Sequence, residues 1–303
     1  MDTDTGFDEV RQLIAQKREG DAVLRMRQIS ASGDAMARLQ CLSTLKVVVD
    51  EEASEAVLAD LMADLPENQN TLLQIAGALR GMDYPNEAYS IIRSMEQTDP
   101  VKRLECLCLQ DMEEFESALE VIGSVERTTP YDRILRSETL SAVGEHRMAI
   151  EESQSLLSEM PGDFDARRAY VSALMLGGED KEMVKFVHSC LKEKTAEANA
   201  LAGYAMRIAG RTKSAAGYAT RTLRMDPKNV CAMETLGICL AEKGEYDKAR
   251  IVAGAINEAS PGNKAAINVL SYCPRGSIAS QIGASSTSGW RGCSATAPSR
   301  TPV

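Results

Sequence analysis

Aromatic rings are scarce in this chain. Phe, Trp and Tyr together make up 4% of the 303 residues, with one tryptophan, Trp290. A core must therefore be assembled from Ala, Leu, Ile, Val and Met, within a hydrophobic fraction of 44%. There are only two histidines, His146 and His188, which leaves a Ser–His or Cys–His nucleophile little to draw on. No apolar run approaches the roughly 20 residues needed to span a bilayer. The opening string MDTDTGFDEV lacks the basic and apolar regions of a secretory signal. Positive charge is also in deficit, with 34 Lys+Arg against 44 Asp+Glu and a net charge of −10. Broad nucleic-acid binding and docking on anionic lipid both need a basic field, so neither nucleic acid nor membrane is an expected partner. The expected compartment is the cytoplasm.

Chemical motifs are missing as well. The chain contains no GxxxxGK[ST], no GxGxxG after a strand, no HExxH and no GxSxG. Only Cys106 and Cys108 of the eight cysteines lie close in sequence. On a helix two residues turn about 200°, so a C-x-C pair points to nearly opposite faces, which suits neither a metal nor a disulfide. His188 and Cys190 fail to face each other for the same reason. No catalytic, metal-ligating or cofactor-binding residue is assigned, and no cofactor or enzyme activity is expected.

What the sequence does have is a period. Pro66, Pro100, Pro130, Pro161, Pro227 and Pro261 are spaced by 34, 30, 31, 66 and 34 residues. Ala56, Ala88, Ala118, Ala149, Ala215 and Ala249 keep the same beat, at 32, 30, 31, 66 and 34. Gly144, Gly178, Gly210 and Gly244 repeat it with gaps of 34, 32 and 34. The glycine- and alanine-rich string GYAMRIAGRTKSAAGYA follows this phase, which favours packing over a phosphate loop. Within residues 230–263, Met233, Leu236 and Leu240 recur at helical spacing, and Gly244 marks a turn. Tyr246, Ala249, Ala253 and Ile256 mark a second helix, which Pro261 is expected to stop. Gly237 and Ala249 are small where two antiparallel helices must come close.

On these residues the unit resembles a tetratricopeptide repeat, a 34-residue helix–turn–helix. Residues 230–263 carry Leu236-Gly237, Gly244, Tyr246, Ala249, Pro261 and Asn263, with Met233 where the family has Trp. Residues 196–229 carry Ala202-Gly203, Gly210, Ala215, Pro227 and Asn229. Residues 130–163 keep Gly144, Ala149 and Pro161 but have Arg136-Ser137 in place of Leu-Gly, and residues 164–195 keep Tyr170 and Gly178. Towards the N-terminus the units degenerate. Residues 99–129 keep Phe115 and Ala118, residues 69–98 keep Ala76 and Ala88, and residues 37–68 keep Ala56. Residues 6–36 read as helices over 6–18 and 21–31, broken at Gly20.

The resemblance implies an all-α solenoid of about seven to eight helix-turn-helix repeats in a right-handed superhelix. The domain reading is an array over residues 1–273, degenerate over 6–129, clearer over 130–263 and truncated over 264–273. A low-complexity tail over 274–303 is expected to be disordered. Gly, Ser, Pro, Ala and Thr supply 21 of those 30 residues, and the tail has three arginines and no acid. It reads either as a natural flexible arm or as the product of a shifted reading frame near residue 273. Because Pro274 cuts short the helix begun by KAAINVLSYC, the apolar face of residues 246–259 is expected to lack a proper capping helix, and this end to self-associate or to be loosely ordered.

Function should then lie on a surface. The resemblance places the first helices on a concave face that binds peptides. The residues expected to project there as partner-binding are Arg38, Arg80, Arg103, Leu107, Tyr131, Ile134, Arg168, Tyr204 and Arg207. Arginine offers a planar donor fork for carboxylates, and its apolar neighbours offer contact, so the expected ligand is an extended or helical peptide with acidic and apolar residues. Some family members clamp the acidic tail of heat-shock chaperones with Lys and Asn at set places. Here those places hold Leu, Ile, Arg, Ala and Ser, and that partner is not expected. The leading expectation is a non-catalytic scaffold or adaptor. The alternatives are a ligand-responsive regulator, or an accessory subunit of an enzyme complex.

Overall fold

A computed structural model describes residues 3–16, 18–48, 50–260 and 263–274. Among them every regular element is helical. Helices come in pairs: α1 (Thr3–Ala15) and α2 (Glu19–Ser32), α3 (Ala35–Val48) and α4 (Glu51–Ala63), α5 (Gln69–Gly81) and α6 (Pro85–Arg93), α7 (Asp99–Asp111) and α8 (Phe115–Gly123). The series continues with α9 (Pro130–Val143) and α10 (His146–Glu159), α11 (Phe164–Leu176) and α12 (Asp180–Cys190), α13 (Ala196–Ile208) and α14 (Thr212–Met225), α15 (Val230–Glu242) and α16 (Tyr246–Ala259). A single α17 (Lys264–Ser271) follows. The chain divides into Met1–Cys273, which holds all these helices, and Pro274–Val303. The tail expected to be disordered lies outside the described residues beyond Pro274.

Local chemistry sets the boundaries. Most first helices begin on a side-chain cap: Asn68 accepts from the Thr71 amide at 3.0 Å, Asp163 from Ala166 at 2.8 Å, Thr195 from Ala198 at 3.1 Å and Asn229 from Ala232 at 3.0 Å. Thr129 and Asp132 close a reciprocal capping box at α9. From α6 onward the second helices start with no such cap, because the turn delivers them directly. That turn needs one left-handed residue, supplied by Gly144, Gly178, Gly210 and Gly244 at φ of 95°, 77°, 69° and 79°. In the two degenerate turns upstream, Asp83 at φ 68° and Glu113 at φ 63° take the same conformation without a glycine.

Expectations for the N-terminal break and for the C-terminal end change on contact with the structure. Helix α1 ends at Ala15 and α2 begins at Glu19, so Gly20 sits inside the first turn of α2, where its freedom costs little. Pro100 and Pro130, two of the periodic prolines, lie in the first turns of α7 and α9, where a missing N–H costs nothing. The apolar face of α16 is covered: Ala249, Ala253 and Ile256 are buried with Ala265, Ala266 and Val269 of α17. Two turns of α17 suffice because its contact side is almost all alanine and valine, so the reason for expecting self-association at this end disappears.

Each first helix packs on its own partner and also on the first helix of the next pair, from α3 through α17. Among the described residues, α2 and α4 alone make a comparable contact between successive second helices. The first helices therefore share one continuous face. The core beneath is not uniform. One apolar cluster runs from Phe7 to Cys108 across α1–α7, another from Tyr170 to Ala205, and a third from Met233 to Val269. Between them the α9–α10 pair has only small clusters around Leu156 and Leu140, and it buries Asp132, Ser137, Thr139, Ser141 and Ser153.

Candidate binding face on the first helices

Polar side chains step along the shared face from one first helix to the next. Arg80 at the end of α5 meets Asp111 at the end of α7. Its Nε lies 2.8 Å from Oδ2 as an ion pair without hydrogen-bond alignment, and Nη2 donates to Oδ1 at 3.5 Å. Glu138 of α9 lies 3.3 Å from Arg168 of α11, which also approaches Asp165 at 3.4 Å. The Arg168 guanidinium stands 5.9 Å from the Tyr204 ring centre, and that of Arg207 stands 5.3 Å from the same ring. Glu234 of α15 accepts from Asn268 of α17 at 2.8 Å.

Crowding by neighbouring helices shifts the proton affinity of several of these groups. Burial pushes the Glu138 carboxyl up, against the pull of Arg168. Burial also pushes the Cys231 thiol up to about 11, with Glu234 adding to the rise and Arg168 and Arg207 opposing it. For Arg168, burial acts against the charge, and the nearby Glu138, Tyr204 and Asp165 outweigh it, so its affinity for the proton rises.

The nine residues singled out by phase do not share one environment. Arg168, Tyr204 and Arg207 come together along α11–α13, and Tyr131 of α9 is 50% exposed. Ile134 is buried against the Leu156 cluster, and Leu107 packs against the Cys106 and Leu109 cluster, so Ile134 has no surface to present. Arg38 donates to Asp64 at 2.8 Å and to the Ser30 carbonyl at 3.2 Å, lashing α3 to its neighbours. Arg103 grips Asp132 with two bonds, 2.6 and 3.0 Å, and donates to the Arg127 carbonyl at 3.1 Å. Asp132 is 2% exposed. Burial works to raise its pKa, but Arg103 and the Thr129 amide and hydroxyl hold it below the usual carboxylate range.

Asp111, Asp165, Cys231 and Lys264 were not foreseen. One signal in the sequence could have found the acids: clamping arginines pair about one repeat away. Arg80 and Asp111 are 31 residues apart, Arg103 and Asp132 29, and Arg167 and Glu193 26. Lys264 carries no comparable signal. Arg207 differs from the others in having no carboxylate partner among the described residues. Its Nε is buried without a hydrogen bond.

Residues 206–271 match the family model described as tetratricopeptide repeat. No curated protein matches the chain. Among solved structures, a tetratricopeptide repeat protein from Parabacteroides merdae ATCC 43184 is similar at 12% identity, covering 78% of this chain and 98% of that one, with a TM-score of 0.48. YrrB, described as a TPR protein with an unusual peptide-binding site, is similar at 12% identity over 71% of this chain and 97% of its own, with a TM-score of 0.32. A Rap protein complexed with competence and sporulation factor is similar at 13% identity over 78% and 79%, with a TM-score of 0.41. The family match runs from the end of α13 through α17, and the same paired-helix unit, left-handed turn and first-helix stacking recur upstream of it.

Proposed function

We propose that the chain is a non-catalytic protein–protein interaction module, and that the first helices of α9–α15 hold a segment of a partner protein bearing acidic and apolar residues. One observation carries this reading. Arg80, Arg103 and Arg168 already spend their charge on carboxylates of this chain, whereas Arg207 keeps an unmatched guanidinium against Tyr204. A partly buried cation without a counter-ion is stabilised when a carboxylate arrives, and an arginine fork can take it with two bonds. Tyr131 and Tyr204 supply apolar contact with a polar edge, suited to a binding surface. The proposed location is the cytoplasm, supported by seven free cysteines among the described residues. Among those residues no helix is long and apolar enough to cross a membrane.

Selection from a displayed random-peptide library tests the proposal. The wild-type protein is expected to enrich sequences pairing Asp or Glu with aliphatic or aromatic residues. Arg207→Glu should lose that enrichment while keeping the wild-type helical circular dichroism. No enrichment, or the same enrichment by both proteins, overturns the reading.

A further inference from the structure

In a helical-repeat array, contacts ordinarily join neighbours only. This chain contains one that does not. Lys264, the first residue of α17, forms an ion pair with Asp111 at the end of α7, 153 residues earlier. Asp111 is 13% exposed and already shared with Arg80. One turn further along α17, Ile267 packs against the cluster that spans α1–α7. The opposite side of α17 holds Ala265, Ala266 and Val269 against α15 and α16. The helix is thus gripped by its own end of the array and by the far half at the same time.

We propose that α17 is a latch that closes the first-helix face and that an acidic partner segment releases. The contact is built to be reversible: one lysine, one isoleucine and an aspartate that keeps a second cation when the first departs. Lys264 and Arg80 are the two cations around Asp111, so an incoming carboxylate competes with Asp111 for both. Binding and opening are then coupled, because a ligand that meets those cations only in the open form shifts the array towards it. This step rests on the reading of the first-helix face as the binding surface. It favours a ligand-responsive module over a passive scaffold.

The latch can be examined without any partner. Lys264→Glu places a like charge against Asp111, and Lys264→Arg preserves the pair. Small-angle scattering and amide exchange followed by mass spectrometry are measured on the full chain, with circular dichroism reporting the fold. Lys264→Glu is expected to increase the radius of gyration and to speed exchange roughly tenfold or more in both 104–112 and 264–271, while Lys264→Arg behaves as wild type. Faster exchange in 264–271 alone is mere fraying of a terminal helix and overturns the latch. Unchanged scattering and exchange overturn it as well. Arg207→Glu, which tests the binding face, should leave both latch readouts at wild-type values, so the two ideas fail separately.

Discussion

At the scale of single residues, the turn between paired helices shows what can be read from sequence and what cannot. Gly144, Gly178, Gly210 and Gly244 announce the turn because a left-handed residue is cheap only without a Cβ. The same turn at Asp83 and Glu113 is silent in the sequence, since the conformation is imposed there by the helices on either side. Glutamate has no short side chain to support a left-handed backbone, whereas aspartate does. Glu113→Gly is therefore expected to stabilise the protein by about 0.5–1 kcal/mol, and Asp83→Gly by less, as measured by urea unfolding. Glu105 is a second unannounced residue. It is buried on α7, burial pushes its carboxyl up, and the nearby Arg93 and Lys102 only partly offset the rise. A carboxylate with a raised folded pKa binds its proton more tightly when folded. Its penalty is full at neutral pH and is relieved as pH falls through the folded pKa towards 4.5, its ordinary value. Glu105→Gln should thus be more stable than wild type at pH 7 by about 1 kcal/mol, with the difference shrinking near pH 4.5.

At the scale of elements, the requirement for small residues was legible but the neighbour that imposes it was not. Gly237 reads as a close approach within its own pair. In the structure a Cβ there would meet Val269 of α17 at 2.7 and 2.8 Å, and Val252 of α16 only at 3.3 Å. The tighter contact belongs to the next pair, because first helices stack directly on one another. Gly237→Ala is expected to cost about 1–3 kcal/mol by overpacking. Adding Val269→Ala should recover part of that loss, and a double-mutant cycle measures the coupling. Absence of coupling would show that α17 yields without resistance. The candidate face was legible in part. Phase picked out Arg168, Tyr204 and Arg207, whose side chains the structure brings together. It could not tell that Arg38 and Arg103 turn sideways to clamp adjacent pairs, because that depends on an acid a repeat or so away in the sequence.

At the scale of the whole array, stability should be uneven. The apolar clusters over α1–α7, α11–α13 and α15–α17 are extended, whereas α9–α10 buries a row of hydroxyls among small ones. Stability in such arrays is close to a sum of local units and their interfaces. Amide exchange across 134–156 is accordingly expected to outrun that across 75–92 and 198–205, and urea unfolding should depart from a single two-state transition. Equal protection along the chain would contradict this. The period and the paired helices were visible in the sequence because small residues and turns recur with them. The polar middle was not, because a serine on a helix reveals nothing about burial until its neighbours are known.

The contact between Lys264 and Asp111 changes what distance along the chain means. A string of modules relays a disturbance in one direction at a time, and a soft link in the middle would isolate the two ends. Joined at α7 and α17, the same string becomes a circuit with the soft α9–α10 pair on one arm and a short cut on the other. An event at the C-terminal helix can then be sensed in the N-terminal half without passing through the modules between them.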